Sequence, residues 1–327
     1  MGFPPPSGGG GSVASVFTRT GAVVAAAGDY MGVVPAALTG ATAATRYVGG
    51  TASGAPASGT FAVGDFIVDQ TGDLWVCTAA GTPGTWTNAT GTMPLSVVAS
   101  ASTITATPGY LHAITGTTTI NTINGGVAGA TIILYGSGQA AYTPVILSNS
   151  GNILLKPSVA GSATTAFGIY AGETITLLYN SGTSKWVEIS RNVNNVLYYG
   201  QITSNVSVTA TTEATANSVI AASAITFDGA TPILMEFFAP YATPGGAASL
   251  YSIWLDGATS LGYAAANISG STAYMPGWNA RKRFTPTNAA HTYSVAAFVG
   301  SGTGTISAGA GGTGAANPAW IKITRDI

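Results

Sequence analysis

From residue 57 to its end the chain is a succession of short apolar runs, each closed by a turn signal, with no sustained helical period between them. Phe66-Ile67-Val68 and Leu74-Trp75-Val76-Cys77 flank Gln70-Thr71-Gly72-Asp73, the pattern of a β-hairpin, and Thr82-Pro83-Gly84 marks a second turn before Trp86. Further on, Pro108-Gly109, Asn124-Gly125-Gly126, Asn149-Ser150-Gly151 and Asn180-Ser181-Gly182 separate the runs. After the polar joint at 192–197, Met235-Glu236-Phe237-Phe238 and Tyr293–Phe298 read as half-buried strands. Each run is too short for a packed helix, so the chain is expected to be all-β and modular. The expected parts are an extended anchor and linker over 1–56, a small β-hairpin module over 57–92, a β-rich middle module over 93–192 and a β-sandwich over 193–327. Six or seven strands in the middle module fit a sandwich, a barrel or a solenoid-like stack.

Charge narrows the surface chemistry. Only 6% of residues are charged, against about 25% in ordinary soluble domains, while the chain carries 45 glycines and 16 prolines. A neutral, hydroxyl-rich surface lacks the repulsion that keeps small domains apart, so association between identical copies is expected. The net charge of −1 gives no electrostatic footprint for nucleic acid. No apolar run approaches the roughly 18 residues of a bilayer span, so no membrane insertion is expected. Met1–Pro6 lacks the basic and apolar regions of a secretory signal. Synthesis in the cytoplasm, with export only as part of a particle, is the expectation.

Neither catalytic nor cofactor residues stand out. The eleven acids are scattered singly, no Gly-x-Ser-x-Gly or zinc-ligand spacing occurs, and there are two histidines. The chain is therefore not expected to be an enzyme, and no cofactor or metal is expected. His112 lies in an apolar run and reads as structural; Cys77, the single cysteine, alternates with Trp75 and reads as a buried free thiol. Trp75 and Trp86 are expected to stack in the core of the small module. Gly309–Gly314 lacks the Lys-Ser/Thr of a phosphate loop and reads as backbone packing. Tyr274-Met275-Pro276-Gly277-Trp278-Asn279 precedes Arg281-Lys282-Arg283, setting three cations beside two aromatics. That cluster is either a strand end whose cations are solvated or paired across a subunit interface, or a carbohydrate contact in which rings stack on sugars and Arg binds hydroxyl or carboxylate groups.

Four stretches carry a family resemblance. Ser15–Tyr30, SVFTRTGAVVAAAGDY, resembles the SVFGRTGAV…GDY segment near the N-terminus of bacteriophage tail-fibre and minor tail proteins, with Thr18 in place of the family's glycine. GDFIVDQTGDLWVCTAAGTPGTW resembles a small β-module of phage tail and neck appendages. GETITLLYNSGTSKWVEISR resembles the ends of fibre modules that set a Trp near an intersubunit core. The last module, closing on AWIKITR, is similar in plan to the trimeric jelly-roll heads of phage fibres and of the complement and tumour-necrosis-factor group.

The resemblance implies a homotrimeric virion protein, a tail fibre or minor tail protein. It would dock onto another virion protein through Val16, Phe17, Arg19, Gly21, Asp29 and Tyr30. It would contact host-surface carbohydrate through its head, around Trp254, Tyr274, Trp278, Arg281, Lys282 and Arg283. A capsid- or neck-attached head fibre or decoration protein is the alternative. A bacterial surface adhesin is a third reading, disfavoured by the missing signal.

Overall fold

The computed structural model describes residues 47–90, 93–157, 164–244, 249–267 and 275–327. The six attachment residues between Val16 and Tyr30, and Tyr274, lie outside the described residues. The described residues are all-β, with one short 3-10 turn, and the chain divides between Thr92 and Met93 into two compact units.

In the first unit β1 (Phe66–Val68), β2 (Leu74–Ala79) and β3 (Thr85–Asn88) form an antiparallel meander. Its turn is organised by Asp69. One carboxylate oxygen accepts from the Thr71 hydroxyl (2.6 Å) and from the amides of Thr71 (2.9 Å) and Asp73 (3.0 Å). The other accepts from the Gly54 amide (2.8 Å) and the Trp75 indole (3.1 Å). These donors, the Thr71 hydroxyl foremost, hold the carboxyl well below the usual carboxylate range against the opposing effect of burial. The expected Trp75–Trp86 stack is replaced by separate partners. Trp75 donates to Asp69, while Trp86 meets Phe61 edge-on at 4.9 Å and donates to the Pro83 carbonyl at 2.9 Å. Cys77 is buried and free.

The second unit opens with a stack of parallel strands. β4 (Leu95–Ala99), β6 (Leu111–Thr115) and β8 (Thr131–Gly136) pair in parallel, and β5 (Thr103–Thr105) pairs in parallel with β7 (Thr122–Asn124). Successive β4–β5 and β6–β7 segments therefore lie one on another as turns of a short solenoid. β4 is the open edge, with Leu95 and Val97 exposed. Gly125 permits the turn after β7: its φ is 92°, and a Cβ there would lie 2.2 Å from the Ala106 carbonyl oxygen. β9 (Val145–Ser148) pairs with β11 (Ala166–Ile169), and β10 (Ile153–Leu154) joins the main sheet. β12 (Thr174–Asn180) then pairs antiparallel with β8, and β13 (Lys185–Asn192) pairs antiparallel with β12, closing the stack as a hairpin. Its core is mostly isoleucine and leucine around Phe167 and Trp186. Trp186, expected near an intersubunit core, is wholly buried in its own chain and donates to the Ile123 carbonyl at 2.9 Å.

The head is a jelly roll. Its strands are β14 (Val196–Ile202), β15 (Val206–Val208), β16 (Asn217–Ala221), β17 (Ile225–Thr226), β18 (Ile233–Thr243), β19 (Leu250–Asp256), β20 (Thr259–Asn267), β21 (Met275–Phe284), β22 (Ala290–His291), β23 (Tyr293–Val299), β24 (Gly304–Ser307) and β25 (Ala319–Arg325). One sheet runs β14-β25-β18-β21, with β24 and β15 continuing it beyond the far half of β18. The other runs β16-β23-β19-β20. The chain passes between the two as it proceeds, and all pairs are antiparallel. Phe237, Trp254, Trp278 and Tyr293 fill the space between them.

Solenoid and head meet through Arg325, the last residue of β25. Its side chain is 2% exposed, and the guanidinium grips Glu173 with both arms (2.7 and 2.9 Å) while donating to the carbonyls of Gly168 (2.9 Å) and Asn194 (3.2 Å). It also lies over the Phe167 and Tyr170 rings, at 5.1 and 4.8 Å. Asp228 accepts from the Gly168 amide (2.9 Å), and the Tyr170 hydroxyl, its pKa raised chiefly by burial, donates to the Thr226 carbonyl (2.7 Å). Removing one partner of such a pair strands a buried charge. Arg325→Ala is therefore expected to cost about 3–5 kcal/mol of unfolding free energy in urea titrations. A loss below about 1 kcal/mol would show that the joint contributes little.

Candidate contact face of the head

Strand periodicity sorts the side chains of the β14-β25-β18-β21 sheet into two sets. Along β25, Ala319, Ile321 and Ile323 are buried and Trp320, Lys322 and Thr324 face outward. Along β18, Met235, Phe237 and Ala239 point into the sandwich, and Leu234, Glu236 and Phe238 point out. Register then aligns the outward residues in rows. Gln201, Trp320, Phe238 and Asn279 form one row, and Tyr199, Lys322, Glu236 and Arg281 the next.

The first row is aromatic at its centre and amide at both ends. Trp320 lies nearly parallel to Phe238 (centroids 5.8 Å apart, 24°), and Tyr199, 53% exposed, leans on Trp320 from the next row at 6.2 Å. The second row is ionic: Glu236 takes Arg281 at 3.1 Å and Lys322 at 3.6 Å. Arg283 pairs with Asp326. All of these charges stay in contact with water, where each such pair is worth at most about 1 kcal/mol.

The expected receptor residues fall apart on this framework. Trp254 is 1% exposed, packed edge-on against Phe237 (6.5 Å, 85°), and Trp278 is 5% exposed in the same core. Both tryptophans are core residues of the folded chain, which corrects their assignment to a contact. The reason is that β21 runs unbroken through Pro276-Gly277, where Gly277 adopts φ 62°, so positions 278 and 281 have opposite parity and opposite faces. Arg281 and Arg283 are outward and ion-paired; Lys282 points the other way, its ammonium 5.8 Å from the Phe284 ring. The one cluster read along the sequence is thus divided between two sides of a sheet. Tyr199, Gln201, Phe238, Asn279 and Trp320 take its place. Their signal was an aromatic residue at the outward phase of both AWIKITR and ILMEFFA.

Two histidine sites were also tested for chemistry. His291 Nδ1 lies 2.6 Å from Asp256 Oδ2, and Nε2 lies 3.0 Å from the Thr287 hydroxyl and 3.2 Å from its carbonyl oxygen. The ring is parallel to Tyr293 at 5.5 Å, so the group ties the 287–291 turn to the β19–β20 hairpin. His112 is buried beside Tyr110 with Nε2 3.1 Å from the Thr107 carbonyl oxygen; burial lowers its pKa. Among the described residues no group of three His, Cys, Asp or Glu is placed to hold a metal, and no helix is long and apolar enough to cross a membrane.

No family model and no curated protein sequence matches the chain. Two solved structures from infectious bursal disease virus are similar in part. The VP2 subviral particle aligns at 13% identity over 51% of each chain with a TM-score of 0.18. The Gt strain structure aligns at 13% identity over 52% of this chain and 50% of that one, with a TM-score of 0.15. The chain spans about half the length of either, and scores this low bear on neither fold nor function.

Substitutions separate core from surface here. Trp254→Ala and Trp278→Ala are each expected to cost about 3–5 kcal/mol, as large core truncations do. Arg281→Ala is expected to change stability by no more than about 1 kcal/mol. Thermal and urea melts of the three variants check this.

Proposed function

We propose that the chain is a virion structural protein, a phage tail fibre or minor tail protein. Its N-terminal segment fixes it to the particle, and its jelly roll meets carbohydrate on the host cell. The observation that carries this reading is a jelly roll with an aromatic row on an outer sheet face, in a chain poor in charge whose Ser15–Tyr30 segment resembles the tail-protein motif. Gold-labelled antibody against the head, viewed on intact virions by electron microscopy, is expected to mark the tail; label on the capsid or neck would support the head-fibre alternative. Chains lacking Met1–Tyr30 are expected to fold but to be absent from purified particles.

The head is proposed to act as a homotrimer, with the Trp320–Phe238 face as the contact between copies. That face is rich in aromatic residues and carries Arg281, the composition favoured at interface centres. Twofold assemblies are the commonest; three comes from the family resemblance. Light scattering of the full chain is expected to give three times the chain mass. Trp320→Glu is expected to give monomers with an unchanged circular-dichroism spectrum, and a trimeric Trp320→Glu variant would move the contact elsewhere.

A further inference from the structure

The opposite sheet, β16-β23-β19-β20, has a different outer surface. At one end Tyr251, Phe298 and Tyr263 form an aromatic platform. Tyr251 and Phe298 stack at 5.0 Å and 21°, and Tyr263 leans on both at 5.7 and 6.4 Å while remaining 62% exposed. Beside the platform the segment 209–216, a strap of irregular backbone that holds the 3-10 turn at Glu213–Thr215, packs Ala210 and Ala216 against the cluster of Ile253 and Ala296. Between this strap and the β19–β20 hairpin lies a cavity of about 390 Å³, lined by Glu213, Ala214, Ala216, Leu255, Ala258 and Ser260. Tyr263, opposite Ile253, and Ser260, opposite Leu255, lie on the same strand, so platform and cavity adjoin.

We infer that this platform and cavity form a binding site for a neutral sugar, a hexose or N-acetylhexosamine unit of a surface polysaccharide. The inference rests on the reading of the head as the carbohydrate-contacting domain and assigns the site. Three features favour a small polar ligand over a second protein. The strap covers Ile253 and Ala296, the apolar residues at the centre of this face. The cavity lies within the range of roughly 300–1,000 Å³ typical of small-molecule sites. Its polar groups suit hydroxyls: the Ser260 oxygen accepts from the Gly262 amide at 3.2 Å, leaving its proton free to donate, and Glu213 offers a carboxylate that only accepts. A ring with one apolar face stacks on Tyr263 while its hydroxyls enter the cavity. With Glu213 as the one charged lining residue, an acidic sugar meets repulsion and a neutral one does not.

The site is also formed in advance. The Asn217 side chain accepts from the amides of Thr209 (2.8 Å) and Ala210 (2.9 Å), and the Ala210 carbonyl accepts from Val299 (2.8 Å). The strap is fixed, so binding incurs little ordering entropy.

The test uses the full-length protein on an array of immobilised neutral hexose and N-acetylhexosamine oligosaccharides, with uronic-acid and sialylated glycans alongside. The wild type is expected to bind neutral members. Tyr263→Ala is expected to weaken binding at least tenfold, and Ser260→Trp, which fills the cavity from an exposed hairpin position, to abolish it. Both should leave the melting temperature within a degree or two. Tyr263→Phe should retain most of the binding, since the ring face acts rather than the hydroxyl. Neutral-glycan binding that survives both Tyr263→Ala and Ser260→Trp overturns this site and leaves the head as the carbohydrate-contacting domain. Preference for the acidic glycans overturns the ligand class, and no glycan binding by the wild type overturns both the site and the reading beneath it.

Discussion

A guanidinium buried at the seam between solenoid and head fixes how the second unit is put together. Arg325 ends β25, which lies between β14 and β18 in the middle of its sheet. Its two arms close on Glu173 at the start of the solenoid's last hairpin. A planar fork of five donors suits this place better than an ammonium would, because it satisfies a carboxylate and two carbonyls at once and still offers its faces to rings. Phe167 takes part twice, beneath Arg325 and beneath Arg191, which is itself paired with the buried Glu188. In a chain so poor in charge, the buried Glu173 and Glu188 each meet an arginine, while the buried Asp228 is held by the amides of Gly168, Ala230 and Thr231 and by the Thr231 hydroxyl.

Elsewhere the same scarcity means that side-chain phase along each strand decides what a surface can do. The two sheets of the head show opposite outcomes from one rule. On the β14-β25-β18-β21 sheet, an outward aromatic row and an ion-paired row lie side by side in register. On the β16-β23-β19-β20 sheet, register shifts at Ser252/Ile253 and Trp254/Leu255 break the regularity, and the strap leaves room for a cavity. Bulges re-aim side chains and end regular pairing.

The all-β character and most turns were legible in the sequence, because Asn-Gly, Pro-Gly and alternating Val and Ile act over a few residues. The jelly roll was legible through resemblance. Parallel pairing in the solenoid was not, since a strand's sequence does not reveal which neighbour it meets or in which direction. The Arg325–Glu173 pair spans 152 residues, and no local pattern signals it. At Trp278–Arg283 the error had a definite cause: residues close in sequence were read as one cluster, yet they lie along a single unbroken strand. The pleat sets Trp278 and Arg281 on opposite faces.

The parallel stack has a consequence for length. Each of its turns hydrogen-bonds only to the turns directly before and after it, as β4–β5 does to β6–β7. Glu173, which receives Arg325, lies beyond the last of them, in the antiparallel closure. A duplicated β6–β7 segment would therefore move the two ends of the stalk apart by one strand spacing, about 4.8 Å, and leave the seam with the head untouched. Length is adjustable in steps of one segment, independently of how the head is packed.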